Sequence, residues 1–275
     1  MPLLILGMIL VAALVVWVVL RWRRRAHRAA VMTRPFPTGW IAWLEHEVPL
    51  YRSAPQAVRE ALHRKVHLFL EEKRFVGCNG FEVNDRARLI IAAQACLLVA
   101  GRPELTLPGF TTILIYPDAF MAETREFDGT VEHVGYEARG GEAWERGPVV
   151  LSWQDVMDGT RSLDGDNVVL HEFAHQLDHE NPDSDGVPRL ASAAQYRRWA
   201  QVFSAEYGVL EKAVARGRDT LFDPYGAEAP AEFFAVVTET FFELPGRLRR
   251  DHPELYHLLA GYFGLDPASW PPASQ

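Results

Sequence analysis

The sequence predicts a mainly helical α+β domain with a small sheet, preceded by one N-terminal transmembrane helix. Three observations carry that reading. Apolar residues recur at helical spacing in long segments, flanked by capping residues and prolines, at both ends of the domain. Between them, residues 111–116, 131–137 and 149–153 are rich in β-branched and aromatic side chains and are separated by turn residues. The chain also opens on an uncharged apolar run, residues 3–20.

That run of 18 residues just reaches across a hydrocarbon core, with Trp17 and Trp22 placed for an interface. A secretory signal would carry its positive charge ahead of the run. Here Arg21, Arg23, Arg24, Arg25 and Arg28 follow it. The expected organisation is an anchor with its basic flank over residues 1–28, a linker over 29–39 marked by Pro35, Pro37 and Gly39, and one domain over 40–275. The positive-inside rule then gives a single-pass protein of the inner (cytoplasmic) membrane whose domain faces the cytoplasm.

A chain of 275 residues with 48% apolar content suits one large domain or two small ones, even after the N-terminal run is set aside. The formal charge is −8; without the five arginines of the basic run, 23 basic residues face 36 acidic ones, a balance of −13. Such acidity argues against nucleic acid as a partner. Cys78 and Cys96 are too few for a disulfide framework and read as small core residues in a reducing compartment.

Residues 40–51 are apolar and aromatic and should pack on the domain. Residues 53–74 read as a helix with Ser53 as its cap, Pro55 in the first turn and Val58, Leu62, Val66, Phe69 and Leu70 on one face. His63 and His67 are four apart on it, but sit among Arg64, Lys65, Glu71 and Glu72 and read as a solvated face. Residues 75–81, with Gly77 and Gly80, read as a loop. Asn84 or Asp85 then caps a strongly apolar helix over 89–100, whose Gln94 serves the core or the site, the core being preferred. The three strand-like stretches make the small sheet, with Gly140-Gly141 as a turn. Residues 147–153 are either an edge strand able to pair with an extended peptide or an ordinary structural strand.

The chemistry concentrates at residues 168–178, Val-Val-Leu-His-Glu-Phe-Ala-His-Gln-Leu-Asp. On a helix, with Asp164 or Asp166 as its cap, His171 and His175 lie on one face and can aim their imidazoles at one point. Glu172 is placed to take a proton from water held there. This is the pattern of a zinc-dependent hydrolase: His171 and His175 as ligands, Glu172 as general base. A third protein ligand is needed. His179 lies two turns from His171, about 12 Å along the axis by helical rise. Asp178 suits an outer or structural carboxylate. The helix over 191–216 offers Glu206 and Glu211, neither in an apolar setting. Residues 230–242 differ: Glu232 and Glu239, seven apart, share a face inside a very apolar helix opened by Pro230. Glu232 is the expected metal ligand. Glu239 either supports a histidine or makes a salt bridge. Tyr225, just ahead of that helix, could donate to an oxyanion or simply pack.

Three ordered blocks resemble one family: Gly-Pro-Val-Val-Leu-Ser-Trp at 147–153, His-Glu-Phe-Ala-His-Gln-Leu-Asp at 171–178, and Pro-Ala-Glu-Phe-Phe-Ala-Val at 230–236, supported by Phe-Val-Gly-Cys at 75–78 and Ala-Ala-Gln-Ala-Cys at 92–96. Together they resemble the Mlc titration factor A family of zinc-dependent peptidases, over roughly residues 40–265. The resemblance implies a zincin-like α+β metallopeptidase similar to the catalytic core of anthrax lethal factor. It implies Zn2+ held by His171, His175 and Glu232, Glu172 as base, Tyr225 as transition-state stabiliser, and aminopeptidase-like activity on peptides. It also implies a possible transcriptional repressor as partner. The competing expectation is a membrane-tethered regulatory binding protein that captures a transcription factor around a non-catalytic zinc site.

Overall fold

In the computed structural model, residues 2–107, 109–118, 120–127, 132–139, 141–143, 147–181 and 185–271 are described, with side chains at all of these except 2–4, 7, 120–127, 132–139 and 141–143. The chain runs through α1 (Pro2–Met32), α2 (Thr38–Glu47), α3 (Pro49–Ser53) and α4 (Gln56–Glu72). It then mixes strand and helix: β1 (Arg74–Gly77), α5 (Asp85–Leu97), β2 (Thr112–Tyr116), β3 (Phe120–Phe127), β4 (Glu132–Arg139), β5 (Gly141–Ala143) and β6 (Val149–Ser152). The remainder is helical: α6 (Trp153–Asp158), α7 (Val168–Asp178), α8 (Ala193–Val214), α9 (Pro230–Glu243), α10 (Pro245–Asp251) and α11 (Pro253–Phe263). Pro49, Pro230, Pro245 and Pro253 each open a helix, where a missing N–H forfeits no intrahelical bond. The mainly helical α+β architecture is as predicted.

Four strands form one sheet in the order β1-β2-β6-β5, parallel across the first two pairings and antiparallel between β5 and β6; β3 and β4 make a separate antiparallel pair. β2 buries Ile113 and Ile115 on one face, whereas all of β6 is buried. The strand within 147–153 is therefore interior, paired on both sides, and the outer strands of the sheet are β1 and β5. Residues 74–77, expected as the end of a helix (74) and the start of a loop (75–77), pair in parallel with β2; four residues are too few to display a strand period. Gly77 marks where the loop closes, since a Cβ there would fall 1.8 Å from the Phe81 carbonyl oxygen. Gly140 lies outside the described residues, and so does the turn expected at Gly140-Gly141. In the polar loop 183–188, positions 183 and 184 also lie outside them.

The core lies between α5, α7 and α9. α5 is buried from Leu89 through Leu97, and α9 from Phe233 through Glu243, so both are apolar nearly all round, as central helices must be. Trp199 of α8 stacks on Phe203 at 4.4 Å and meets Phe234 of α9 edge-on at 5.7 Å. Burying each large side chain of this kind contributes about 2–3 kcal/mol. Asn84 caps α5 through the Ala87 N–H. Ser53 does not cap α4: it closes α3 and donates to the Pro49 carbonyl at 3.1 Å, while α4 starts after Pro55.

Two corrections concern the N-terminal region. His63 and His67 do not form a solvated face. Phe36 stacks on His63 with 3.8 Å between centroids, the Tyr51 hydroxyl hydrogen-bonds His63 Nε2 at 2.8 Å, and Phe36 and Trp40 lie against His67. Aromatic side chains from the preceding segments cover that side of α4.

The apolar run read as a membrane span is one part of the longer α1, which continues through the basic residues to Met32. That basic end docks on α4: Arg28 pairs with Glu72 at 3.0 Å, His27 with Glu71 at 3.3 Å, and Val31 is fully buried. Among the described residues no helix is long and apolar enough to cross a membrane. The expected transmembrane helix and the single-pass inner-membrane localisation are thereby overturned, and with them the helix through which the membrane was expected as a partner. The linker expected over 29–39 is also shorter, because α1 takes in residues 29–32.

Candidate metal centre

α7 is placed by its two ends. At the start Asn167, not Asp164 or Asp166, is the cap: its Oδ1 accepts from the Leu170 N–H at 3.1 Å, whereas Asp164 is occupied by the Ser162 hydroxyl and the Asp166 N–H. At the far end Asp178 accepts from the Gly186 N–H at 3.1 Å, and the Trp199 indole donates to the Gly186 carbonyl at 3.1 Å. Gly186 has φ +78, and a Cβ there would fall 2.2 Å from the Pro230 oxygen. Only glycine fits, and it draws the end of α7 against the beginning of α9. Asp178 thus acts as a structural tie, and burial pushes its carboxyl up to about 6.

This clamp sets Glu232, in the first turn of α9, across from the histidines of α7. His171 Nε2 lies 3.0 Å from Glu232 Oε2, His175 Nε2 lies 3.2 Å from the same oxygen, and the two Nε2 atoms are 3.2 Å apart. On its other side His171 Nδ1 meets Glu239 Oε1 at 2.7 Å, and the second oxygen of Glu239 accepts from the Asn167 N–H. His171, His175 and Glu232 form a group able to hold a metal ion. Glu172, which follows His171, is 5% exposed. Tyr225 belongs to a short 3₁₀ turn, Pro224–Ala227, capped by Asp223, and its ring lies 5.9 Å from that of His171.

The donor set fits a cation. A neutral His171 that donates Nδ1–H to Glu239 has only a lone pair at Nε2. That lone pair and those of His175 and Glu232 then converge with nothing but mutual repulsion between them. Three ligands of a tetrahedral ion with bonds of about 2.0–2.1 Å stand roughly 3.3–3.4 Å apart, close to the separations found. Without a cation a proton does the same work. Burial pulls the His171 pKa down, but the Glu239 charge and the bonds to Glu232 and Glu239 override it, and the pKa is raised well above the ordinary histidine value. Burial pushes Glu232 up, yet the two histidines hold it well below the usual carboxylate range. Metal and proton therefore compete for one lone pair.

The structure brings His171, His175 and Glu232 together, with Glu239 behind His171; Glu172 follows His171 on α7, and Tyr225 flanks the His171 ring. His179, at the end of α7, is not part of the group. Gln94 is buried, and its Oε1 accepts from Asn167 at 2.8 Å. Sequence reasoning missed Asn167 and Glu243. The available signals were a capping residue directly before the apolar run and a further carboxylate one turn after Glu239.

Fold and centre together define a metallopeptidase-like protein. Residues 19–264 match the family described as glucose-regulated metallo-peptidase M90, and the chain belongs to that family. It is 42% identical over 251 residues to an uncharacterized protein, slr2042, of Synechocystis, with 90% of each chain covered. It is also 31% identical over 252 residues to Mlc titration factor A of Cronobacter sakazakii, covering 90% of this chain and 92% of that one. The counterpart from Pectobacterium atrosepticum is 32% identical over 236 residues, covering 82% and 88%. The resemblance seen in the sequence blocks is borne out.

Proposed function

We propose that the protein is a zinc-dependent peptidase with an aminopeptidase-like preference. The observation that carries this reading is the convergence of His171 Nε2, His175 Nε2 and Glu232 Oε2 on one point, with Glu172 on the same helix. Two imidazoles and one carboxylate suit Zn2+ and leave a coordination position open, as catalytic sites do and closed structural sites do not. When bound, the ion supplies Lewis acidity at the scissile carbonyl and lowers the pKa of water to about 7. His171 and His175 hold it as neutral ligands, and Glu239 keeps the Nδ1 proton of His171 and so the ring orientation. Glu172 accepts the proton of the attacking water and delivers it to the leaving amine. The Tyr225 phenol, 40% exposed beside His171, donates to the oxyanion that develops on the carbonyl.

A second reading has a specific observation behind it: relatives covering most of the chain carry the name Mlc titration factor A. On that reading the protein captures a transcriptional repressor, and the centre is not catalytic. Metal analysis of the full chain, followed by digestion of a peptide library, separates the two. The peptidase reading expects bound zinc and cleavage that stops with a chelator and returns with Zn2+. Zinc-loaded protein that cleaves no peptide would favour capture.

A further inference from the structure

Behind the converging atoms lies a buried polar layer. Asn167, Gln94, Glu239 and Glu243 are exposed by only 1, 1, 3 and 5%. Asn167 is its hub. Besides capping α7, it donates its backbone N–H to Glu239. Its Nδ2 donates to Glu243 Oε1 at 2.8 Å and Gln94 Oε1 at 2.8 Å, with the Gly159 carbonyl at 3.3 Å. Glu243 takes a second bond, from the Gly165 N–H at 3.0 Å.

A helix cap needs one acceptor, which serine, threonine or aspartate would provide equally well. Asn167 uses its donors too, and three of those bonds leave its own helix for Glu239 and Glu243 of α9 and Gln94 of α5. Buried polar groups are costly unless each is satisfied, so such a layer rigidifies what it touches. What it touches is Glu239, whose two oxygens are divided between the start of α7 and His171.

We infer that Asn167 and Glu243 are positioning residues for the metal centre: they lock α9 to the start of α7, so that Glu239 holds the His171 ring with Nε2 facing His175 and Glu232. The inference rests on the three-atom centre proposed above and extends it to groups that touch neither ligand nor substrate. Burial pushes the Glu243 carboxyl up to about 8 against the pull of Asn167 and Gly165, so the comparison is made above that value, where the carboxylate only accepts.

The test uses the full chain loaded with Zn2+ alone and reads zinc affinity by competition with a chromogenic chelator. Asn167→Asp keeps the cap and the backbone N–H but turns the amide donor into an acceptor facing two acceptors. It should weaken zinc binding about 10- to 100-fold, the usual effect of losing an outer partner. Adding Glu243→Gln re-forms the bond with donor and acceptor exchanged, and should return the affinity to the wild-type value. Wild-type affinity in Asn167→Asp, or a double variant no tighter than the single one, would overturn the inference. If Asn167→Asp does not fold, Glu243→Met serves: it keeps the volume and removes the acceptor, and a folded chain of undiminished zinc affinity would be equally fatal. Zinc-loaded wild type that cleaves nothing would remove the peptidase reading alone, because the affinity comparison needs no turnover.

Discussion

Two helices of this protein carry histidines four residues apart, and they have opposite surroundings. On α4, His63 and His67 are covered by Phe36, Trp40 and Tyr51. Burial, reinforced by the neighbouring His67, drives the His63 pKa down to about 4, so the ring is neutral. On α7, burial acts on His171 in the same direction, but Glu239 and Glu232 reverse the outcome. Helical spacing makes two imidazoles neighbours; it does not say what they face. The carboxylates that turn one pair into a candidate metal centre arrive from α9, far along the chain, and the aromatic rings that turn the other into packing arrive from the N-terminal segments.

The strongest way to break the contrast is to take the carboxylate away. Glu232→Ala leaves the α7 pair with no third ligand and should abolish stoichiometric metal binding and all chelator-sensitive peptide cleavage. The loss should exceed the roughly 10- to 100-fold effect of an outer partner. Metal analysis after dialysis reads it, and an undiminished metal content would move the third ligand elsewhere. Next comes Glu172→Gln, which strips the α7 motif of its acid as the α4 pair already lacks one. Metal content should be unchanged, while kcat falls by about 10²–10⁴, the range for losing a general acid–base group. Peptide cleavage by a metal-loaded Glu172→Gln chain at the wild-type rate would reject the role.

The α7 motif was legible in the sequence because its chemistry is local: spacing, neighbour and apolar setting lie within a few residues. Glu232 was legible because a carboxylate in the first turn of a nearly all-apolar helix demands a partner. Asn167 was not, since three residues within four positions could each cap the helix and only the fold decides among them. Glu243 looked like any last-turn acid until burial gave it Asn167 and Gly165 as partners. β1 was too short to show a period. The setting of His63 and His67 was hidden because the rings that cover them belong to other segments. The run at residues 3–20 sat at the length threshold where composition alone cannot tell a span from part of a longer helix whose basic end is pinned to Glu71 and Glu72.

A smaller effect sharpens the contrast through pH. The folded-state pKa of His63, about 4, lies below the ordinary value of 6.5. Between those values the unfolded chain binds the extra proton, so the stability due to a neutral His63 is full above about pH 6.5 and is lost as the pH falls toward about 4. His63→Gln should lower the urea midpoint at neutral pH, through the lost Tyr51 bond and ring stack, yet flatten its further decline between about pH 6.5 and 4. An equally steep decline in the variant would place the acid sensitivity elsewhere.

The smallest expected effect is the most telling. Arg64→Glu writes His-Glu-x-x-His into α4, giving it the same local pattern as α7. Arg64 is exposed, so the change should cost no more than about 0.5 kcal/mol. Zinc content after dialysis should nevertheless stay at the wild-type value. His63 Nε2 is already engaged by the Tyr51 hydroxyl, Phe36 covers the face of its ring, and the only candidate metal group among the described residues is the one on α7 and α9. A further equivalent of tightly held zinc would mean that spacing plus an adjacent acid is enough, and the weight placed on Glu232 would then be unjustified.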